Sequence, residues 1–372
     1  MNGRIVVGGV LLVAFCLSGC TKENPAYQPP APVCEDEDIF SIQRYVLPAA
    51  GRLDILVVAD RLAGTVEMRR SFGAGLADAL AQAEGLDWQI GVVSSDLTTS
   101  QHDGFLQPTR ATDDCAADPS LLLAGEGVTA EALACRLETL GAVESHPAMP
   151  LGAARRALDR AFAEDVSPNA GLLREGSRLL IVVLGATGDC SGSQRSRDAG
   201  ACVADADDAT AVSELVRYFA ETVDGRRSRL VARPTLAVVG GPAGETGEST
   251  CRVGDLELTA TPRVRSFAHQ LGEAAWIESG CTTTLAPFAR EVIGEVASPT
   301  AIPVCVQEPM VGAPVDVQLG PDDGGAALSE IGDYLVEPRG GVCANGGISL
   351  NGDRLSDAGG EALRIRFCRS GR

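Results

Sequence analysis

The chain has only three histidines and no Cys-x-x-Cys pair, which excludes the common structural zinc sites, where close cysteines share the metal with histidine. It has no Gly-x-Ser-x-Gly elbow and no His-Glu-x-x-His run, so the familiar serine-hydrolase and metalloprotease arrangements are missing. His102 lies in a polar stretch, His146 sits beside a proline and His269 falls in a helical pattern at the surface or core edge. None is placed as a catalytic base, and without a convergent acid/base or nucleophile set the chain reads as non-catalytic. Positive charge is scarce as well: 31 Lys and Arg against 50 Asp and Glu give a net −19, a poor match for nucleic-acid phosphates. The glycine-rich stretch Gly240–Gly247 follows a strand but lacks the consecutive Lys-Ser/Thr pair that holds nucleotide phosphates, and Glu245 and Glu248 would repel them. It reads as a plain loop. Beyond the N-terminus no hydrophobic run reaches membrane-spanning length.

What is present begins with a processing signal. Arg4 supplies a positive n-region, Ile5 to Leu17 is almost wholly apolar, and the run ends in Leu17-Ser18-Gly19-Cys20. Two small residues before an acylatable thiol resemble the lipobox of bacterial lipoproteins. The resemblance implies a signal peptide over 1–19 and a mature protein beginning at lipidated Cys20. Thioether-linked diacylglycerol and an amide-linked chain such as palmitate would anchor it to a membrane. Thr21, rather than Asp, after the cysteine favours the outer membrane of a Gram-negative envelope. The membrane face stays open.

Cysteine use agrees with an oxidising compartment. Of 12 cysteines, Cys16 leaves with the signal and Cys20 carries lipid. An even set remains: Cys34, Cys115, Cys135, Cys190, Cys202, Cys251, Cys281, Cys305, Cys343 and Cys368. Proximity suggests Cys115–Cys135, Cys190–Cys202, Cys251–Cys281 and Cys343–Cys368, with Cys34–Cys305 left over. Spacing alone does not fix connectivity.

Residues 20–50 read as a lipidated, proline-stiffened tether carrying Pro25, Pro29, Pro30 and Pro32. Beyond it, apolar strand-like runs alternate with amphipathic helical ones. Leu53–Ala59, Trp88–Val93, Leu179–Leu184 and Thr235–Val239 are strand candidates. Helical spacing falls on Phe72, Leu76 and Leu80, on Leu151, Ala154 and Leu158, on Val212, Leu215 and Phe219, on Val264, Phe267 and Leu271, and on Leu285, Phe288 and Val292. The alternation predicts an α/β domain over 51–298: a doubly wound, mostly parallel sheet flanked by helices. From Pro299 the texture turns Pro- and Gly-rich, and 299–372 reads as a small, Cys-containing, β-rich module stapled by disulfide.

In a doubly wound sheet, ligands bind beyond the carboxyl ends of the strands, and Asp60 follows the first strand. Here the chain resembles the von Willebrand factor type A (VWFA) domain, and in particular bacterial lipoproteins that carry it with extra cysteines. The matching stretches are Leu53–Asp60, Gln89–Leu97, Leu151–Leu158, Asn169–Arg174 and Asp189-Cys190-Ser191. In that family an Asp-x-Ser-x-Ser loop, a Thr and a further Asp hold a divalent cation, usually Mg²⁺, which leaves a position for a partner's carboxylate. Asp60 matches the first Asp, but the serine positions fall on Leu62 and Gly64, and Ala186 stands where the later Asp would be. The loop before Leu151, with Ser145, His146, Pro147 and Met149, offers no counterpart of the Thr. The metal-ion-dependent adhesion site is therefore degenerate. Asp60 reads as structural, capping the following helix, unless Thr65, Asp96, Thr187 and Asp189 rebuild an oxygen cluster for Mg or Ca. Together the resemblance and the anchor imply an envelope protein that engages another envelope or extracellular protein, without cofactor or bound metal. Two alternatives remain open: Mg/Ca-dependent adhesion through Asp60, and a secreted hydrolase with an unrecognised site.

Overall fold

The computed structural model describes residues 34, 38–46, 52–83, 85–125, 128–144, 147–163, 167–174, 177–185, 188–191, 209–219, 235–241, 250–253, 256–259, 261–271, 275–281, 284–297, 301–306, 308–320, 325–328, 333–338, 345–351 and 362–370. After a first strand, β1 (Asp38–Val46), the chain enters an alternating region. Its strands are β2 (Arg52–Ala59), β3 (Asp87–Ser94), the short β4 (Leu122–Ala124), β5 (Arg178–Leu184), β6 (Thr235–Gly240), the hairpin β7 (Thr250–Val253) and β8 (Leu256–Thr259), and β9 (Ala275–Ser279). The helices between them are α1 (Val66–Gln82), α2 (Ala130–Glu138), α3 (Pro150–Phe162), α4 (Ala209–Arg217), α5 (Pro262–Leu271) and α6 (Ala286–Ala297).

Six strands form one sheet in the order β4-β3-β2-β5-β6-β9, parallel except for the antiparallel edge β4. The near-continuous apolar runs have their reason here. A parallel sheet is covered on both faces, so β2 and β5 bury their residues almost end to end. Alternate residues divide between two cores. Leu53, Ile55 and Val57 point to α1, α2 and α6, whereas Leu56 and Val58 point to α3, α4 and α5. Gly75 lets α1 lie close on α6, since a Cβ there would meet the Cα of Ala286 at 2.6 Å. The molecule is thus a mixed α/β protein whose parallel sheet is flanked by helices, with further disulfide-tied β structure.

The rest of the chain forms two small antiparallel sheets. β10 (Ala301–Cys305), β13 (Tyr334–Glu337) and β14 (Gly347–Asn351) make one, in the order β10-β14-β13. β11 (Met310–Leu319), β12 (Ala326–Ala327) and β15 (Ala362–Ser370) make the other with β1, in the order β1-β15-β11-β12. Val304, Val317, Ile348, Leu350, Leu363, Ile365 and Phe367 from both sheets share one core.

This arrangement corrects the reading of 20–50 as all tether. Residues 38–46 pair with β15 along their whole length, from Asp38 opposite Ser370 to Val46 opposite Ala362. It also corrects two disulfide expectations. Cys34 is bonded to Cys368, not to Cys305, and Cys368 is therefore not joined to Cys343. The antiparallel β1–β15 pairing brings the two ends of the chain together across 334 residues, a proximity that spacing does not show. Cys115 is bonded to Cys135 and Cys251 to Cys281. Cys190 is disulfide-bonded too. Its expected partner Cys202 lies outside the described residues, as do Cys20 and Cys343.

Candidate functional site

The parallel strands β3, β2 and β5 end side by side, and three carboxylates follow them: Asp96 after β3, Asp60 after β2 and Asp189 beyond β5. Chain order reverses between β2 and β5, so Asp60 stands at the switch point of the sheet. Backbone bonds fix the group. The Asp60 amide donates to the Leu184 carbonyl at 2.8 Å, and the Ser95 amide donates to the Ala59 carbonyl at 2.9 Å. All three carboxylates are buried.

Asp60 does not cap α1, contrary to the sequence expectation. A 3-10 turn, Ala63–Thr65, intervenes, and the Asp60 Oδ1 instead accepts the Leu62 amide at 3.1 Å, closing a turn two residues on. The Thr65 hydroxyl donates to the carbonyls of Asp60 and Leu62, at 3.1 and 2.7 Å, which commits it to backbone. Asp96 accepts the amide and hydroxyl of Thr98 and the hydroxyl of Thr99. Its Oδ2 also lies 2.8 Å from Nη1 of Arg61.

Arginines are the groups that the sequence reading missed. Arg69, on α1, is fully buried and donates to the Gly141 carbonyl at 3.1 Å. Burial lowers its pKa to about 10; Asp60 and Glu138 act in the opposite direction, and Arg61 adds to the lowering. Arg263, at the start of α5, places Nε 3.5 Å from Asp189 Oδ2 and donates from Nη2 to the Ser191 carbonyl. Burial raises the Asp189 pKa, while the Ser191 hydroxyl and the Arg263 charge pull it back. Each carboxylate at this end of the sheet thus has a guanidinium within its field. One signal was legible in sequence: Arg69 lies on the same helical stripe as Phe72, Leu76 and Leu80, where a charged residue needs a partner.

Among the described residues, the side chains around Asp60 do not complete a divalent-cation site. Leu62 and Gly64 bring no side-chain oxygen to the serine positions, and Asp96 and Asp189 are already engaged by arginine and hydroxyl groups. Ser145, His146, Ala186 and Thr187 lie outside the described residues. Among the described residues no three His, Cys, Asp or Glu side chains converge on one point. Asp189 and Ser191 act instead on α3, accepting the first-turn amides of Leu151 at 3.3 Å and Gly152 at 2.7 Å. A Cβ on Gly152 would meet the Ser191 hydroxyl at 2.9 Å, so the glycine is needed for this contact.

The other matching stretches are also structural. Asn169 is fully buried, donates to the carbonyls of Gly104 and Ala157, and accepts the Leu106 amide. Arg174 clamps the amino ends of two strands, meeting Asp54 at 2.8 Å and Asp87 at 2.6 Å. His102 is buried in the turns after β3, and His269 is exposed on α5. No described helix is long and apolar enough to cross a membrane.

No family model and no curated protein matches the chain. Similar solved structures include proximal thread matrix protein 1 from the mussel byssus, 9% identical with a TM-score of 0.33 over 70% of this chain and 51% of that one. The pilus adhesin SpaC from Lactobacillus rhamnosus GG is 9% identical with a TM-score of 0.34, over 89% of this chain and 41% of that one. Manganese-loaded TRAP from Plasmodium vivax is 9% identical with a TM-score of 0.34, over 70% and 78%. The chain spans about half the length of the first and two fifths of the second. At such scores the fold assignment rests on the chain's own strand order: a parallel sheet between two helical layers, with three carboxylates and three arginines at its carboxyl end.

Proposed function

We propose that the chain is a non-catalytic, lipid-anchored envelope protein whose α/β domain, von Willebrand factor A-like in character, binds another protein without metal. The observation that carries the reading is the pairing of arginine with carboxylate at the sheet's carboxyl end. A doubly wound sheet presents its binding surface there. In support, Arg61, Arg69 and Arg263 bring positive charge from the chain itself to the carboxylates of that surface. The anchor rests on Leu17-Ser18-Gly19-Cys20 and the even cysteine set that Cys20 leaves behind.

Two experiments test the two halves. Metabolic labelling with palmitate should mark the wild-type protein and leave Cys20→Ser unlabelled; equal labelling removes the anchor. A photo-crosslinking side chain at exposed Ala63, beside the carboxyl end, should capture an envelope protein that the same probe at exposed Gly85, near the amino end of β3, does not. Equal capture at both positions, or none at Ala63, refutes recognition at this end of the sheet.

A further inference from the structure

We infer that the two small antiparallel sheets are a spacer, which holds the carboxyl end of the parallel sheet away from the lipid anchor. The partner proposed for that end then meets it from the side turned away from the anchoring membrane. Two covalent connections join the small sheets to the α/β domain, and both leave its amino end. One runs from Val46, the last residue of β1, to Arg52, the first of β2. The other runs from Ala297, the last residue of α6, to Ala301, the first of β10. α6 begins beyond β9 and runs back along the sheet, and the carbonyls of Val296 and Ala297 accept the guanidinium of Arg178 at the start of β5. Fully extended, residues 47–51 span at most about 21 Å and residues 298–300 about 14 Å. β2 alone is about 23 Å long, so neither connection can return its strand to the carboxyl end. The small sheets also bury a core of their own, and the two cores of the α/β domain take no residue from it.

Within the spacer β1 is the strut. It is about 27 Å long, with Val46 at the end joined to the α/β domain and Asp38 at the other. Cys368 lies opposite Phe40, near the remote end, and its disulfide to Cys34 fixes there the chain that arrives from Cys20. Load on that chain reaches β15 through a covalent bond and not through the β1 hydrogen bonds alone. The order outward from the anchor is therefore the Cys34–Cys368 bridge, β1, the amino end of the parallel sheet, and last the carboxyl end with Asp60, Asp96 and Asp189. This geometry suits a partner that stands clear of the anchoring membrane, not one embedded beside the lipid. The membrane side of the inference rests on the proposed acylation of Cys20, whereas the separation of the two ends does not.

Three exposed positions mark the order: Val311, opposite Cys368 at the remote end of the spacer; Gln82, where α1 ends beside the amino end; and Ala63, at the carboxyl end. Spin labels on non-natural side chains are placed in pairs in the full chain carrying Cys20→Ser, and their separations are read by pulsed dipolar spectroscopy. The distance from Val311 to Ala63 should exceed that from Val311 to Gln82 by about 20 Å, most of the length of α1. Equal or reversed distances would lay the small sheets beside or over the carboxyl end and overturn the inference, whatever the state of the anchor. The acylated chain is then inserted in phosphatidylcholine vesicles that carry a headgroup-labelled acceptor, with a fluorescent side chain at one of the three positions. Energy transfer should fall in the order Val311, Gln82, Ala63, and at Ala63 to less than half its value at Val311. The same transfer from all three, or the opposite order, overturns the inference. No transfer from any position, with the spin-label distances as expected, supports the spacer and refutes the anchor alone.

Discussion

The guanidinium groups around Asp60 give the proposed absence of a bound metal a measurable consequence. A Ca²⁺ or Mg²⁺ ion at Asp60 would share its surroundings with Arg69, which interacts with the Asp60 charge, and with Arg61, which interacts with Arg69. At an effective dielectric of about 20, a doubly charged ion about 6 Å from one guanidinium meets a repulsion of roughly 5 kcal/mol. That weakens binding by about four orders of magnitude. An extracellular calcium module with a Kd near 0.1–1 mM, so burdened, would need about 1 M ion or more. Thermal unfolding gives the assay. A working site of Kd about 0.1 mM would stabilise the protein by about 2.7 kcal/mol in about 10 mM Mg²⁺, raising Tm by about 5–10 °C. We expect a shift below about 1 °C with Mg²⁺, Ca²⁺ or Mn²⁺, and none that Asp60→Asn changes. A cation-dependent rise that Asp60→Asn abolishes would refute the reasoning and favour cation-dependent adhesion. Arg69→Met gives the converse check: if its charge is the barrier, ion-dependent stabilisation should first emerge in that variant.

Other expectations concern stability and connectivity. Arg174→Met should cost about 3 kcal/mol in urea unfolding, because it strands the fully buried Asp54 carboxylate without its cation, and Asp54→Asn in the same background should recover part of that loss. The folded pKa of Asp189 is raised, so its contribution to stability is full below the unfolded value near 3.8 and is lost as pH rises through the folded value. Relative to wild type, Asp189→Asn should therefore gain in unfolding midpoint between acid and neutral pH; a difference that is flat or falls with pH contradicts the assignment. Non-reduced peptide mapping should return Cys34–Cys368 and, from the cysteines that remain once those two are joined, Cys305–Cys343. Cys34→Ala should lower stability by up to about 6 kcal/mol on the chain-entropy relation for a 334-residue closure.

The alternating core was readable because a parallel sheet covered on both faces writes itself as unbroken apolar runs. Leu179–Leu184 falls within β5 and Leu53–Ala59 within β2 for that reason. Elements at the margin were not readable. β9 is half-buried throughout at the sheet edge and mixes Trp276 and Ile277 with Glu278, so it shows neither a continuous run nor a strict alternation. α2 is buried over five consecutive residues, Leu133–Leu137, so it shows no amphipathic stripe, and it holds Arg136, whose bonds to Thr109, Gln107 and Asp118 come from distant loops. β1 was hidden by its neighbourhood, since the prolines before it invite a tether reading that its own alternation of exposed Phe40 and Ile42 with half-buried Ser41 and Gln43 contradicts. At the candidate site Asp60 was legible as one carboxylate after one strand. Of the arginines, Arg69 carried a signal on its helical stripe, but the partnership of Arg61 with Asp96 and of Arg263 with Asp189 was not legible, because each pair joins residues far apart in sequence.

Those arginines supply a physical reason why three carboxylates can be buried at this end of the sheet. Parallel strands deliver their following loops to one end of the sheet, so Asp60, Asp96 and Asp189 are all buried there, where unbalanced negative charge is costly. A bound cation is one remedy and fixed guanidinium groups are another. The chain is suited to the second, since Lys22 is its sole lysine and nearly all its positive charge is arginine. A buried lysine readily gives up its proton and with it the compensation, whereas guanidinium remains charged even when burial lowers the Arg69 pKa to about 10. Fixed guanidinium also alters what the surface can recognise. A bound metal offers an open coordination position to a partner's carboxylate, but Arg61 and Arg263 spend their charge on Asp96 and Asp189. On the proposed reading, recognition at this end of the sheet rests on shape and on the exposed loop residues around Ala63, and it should be insensitive to chelators.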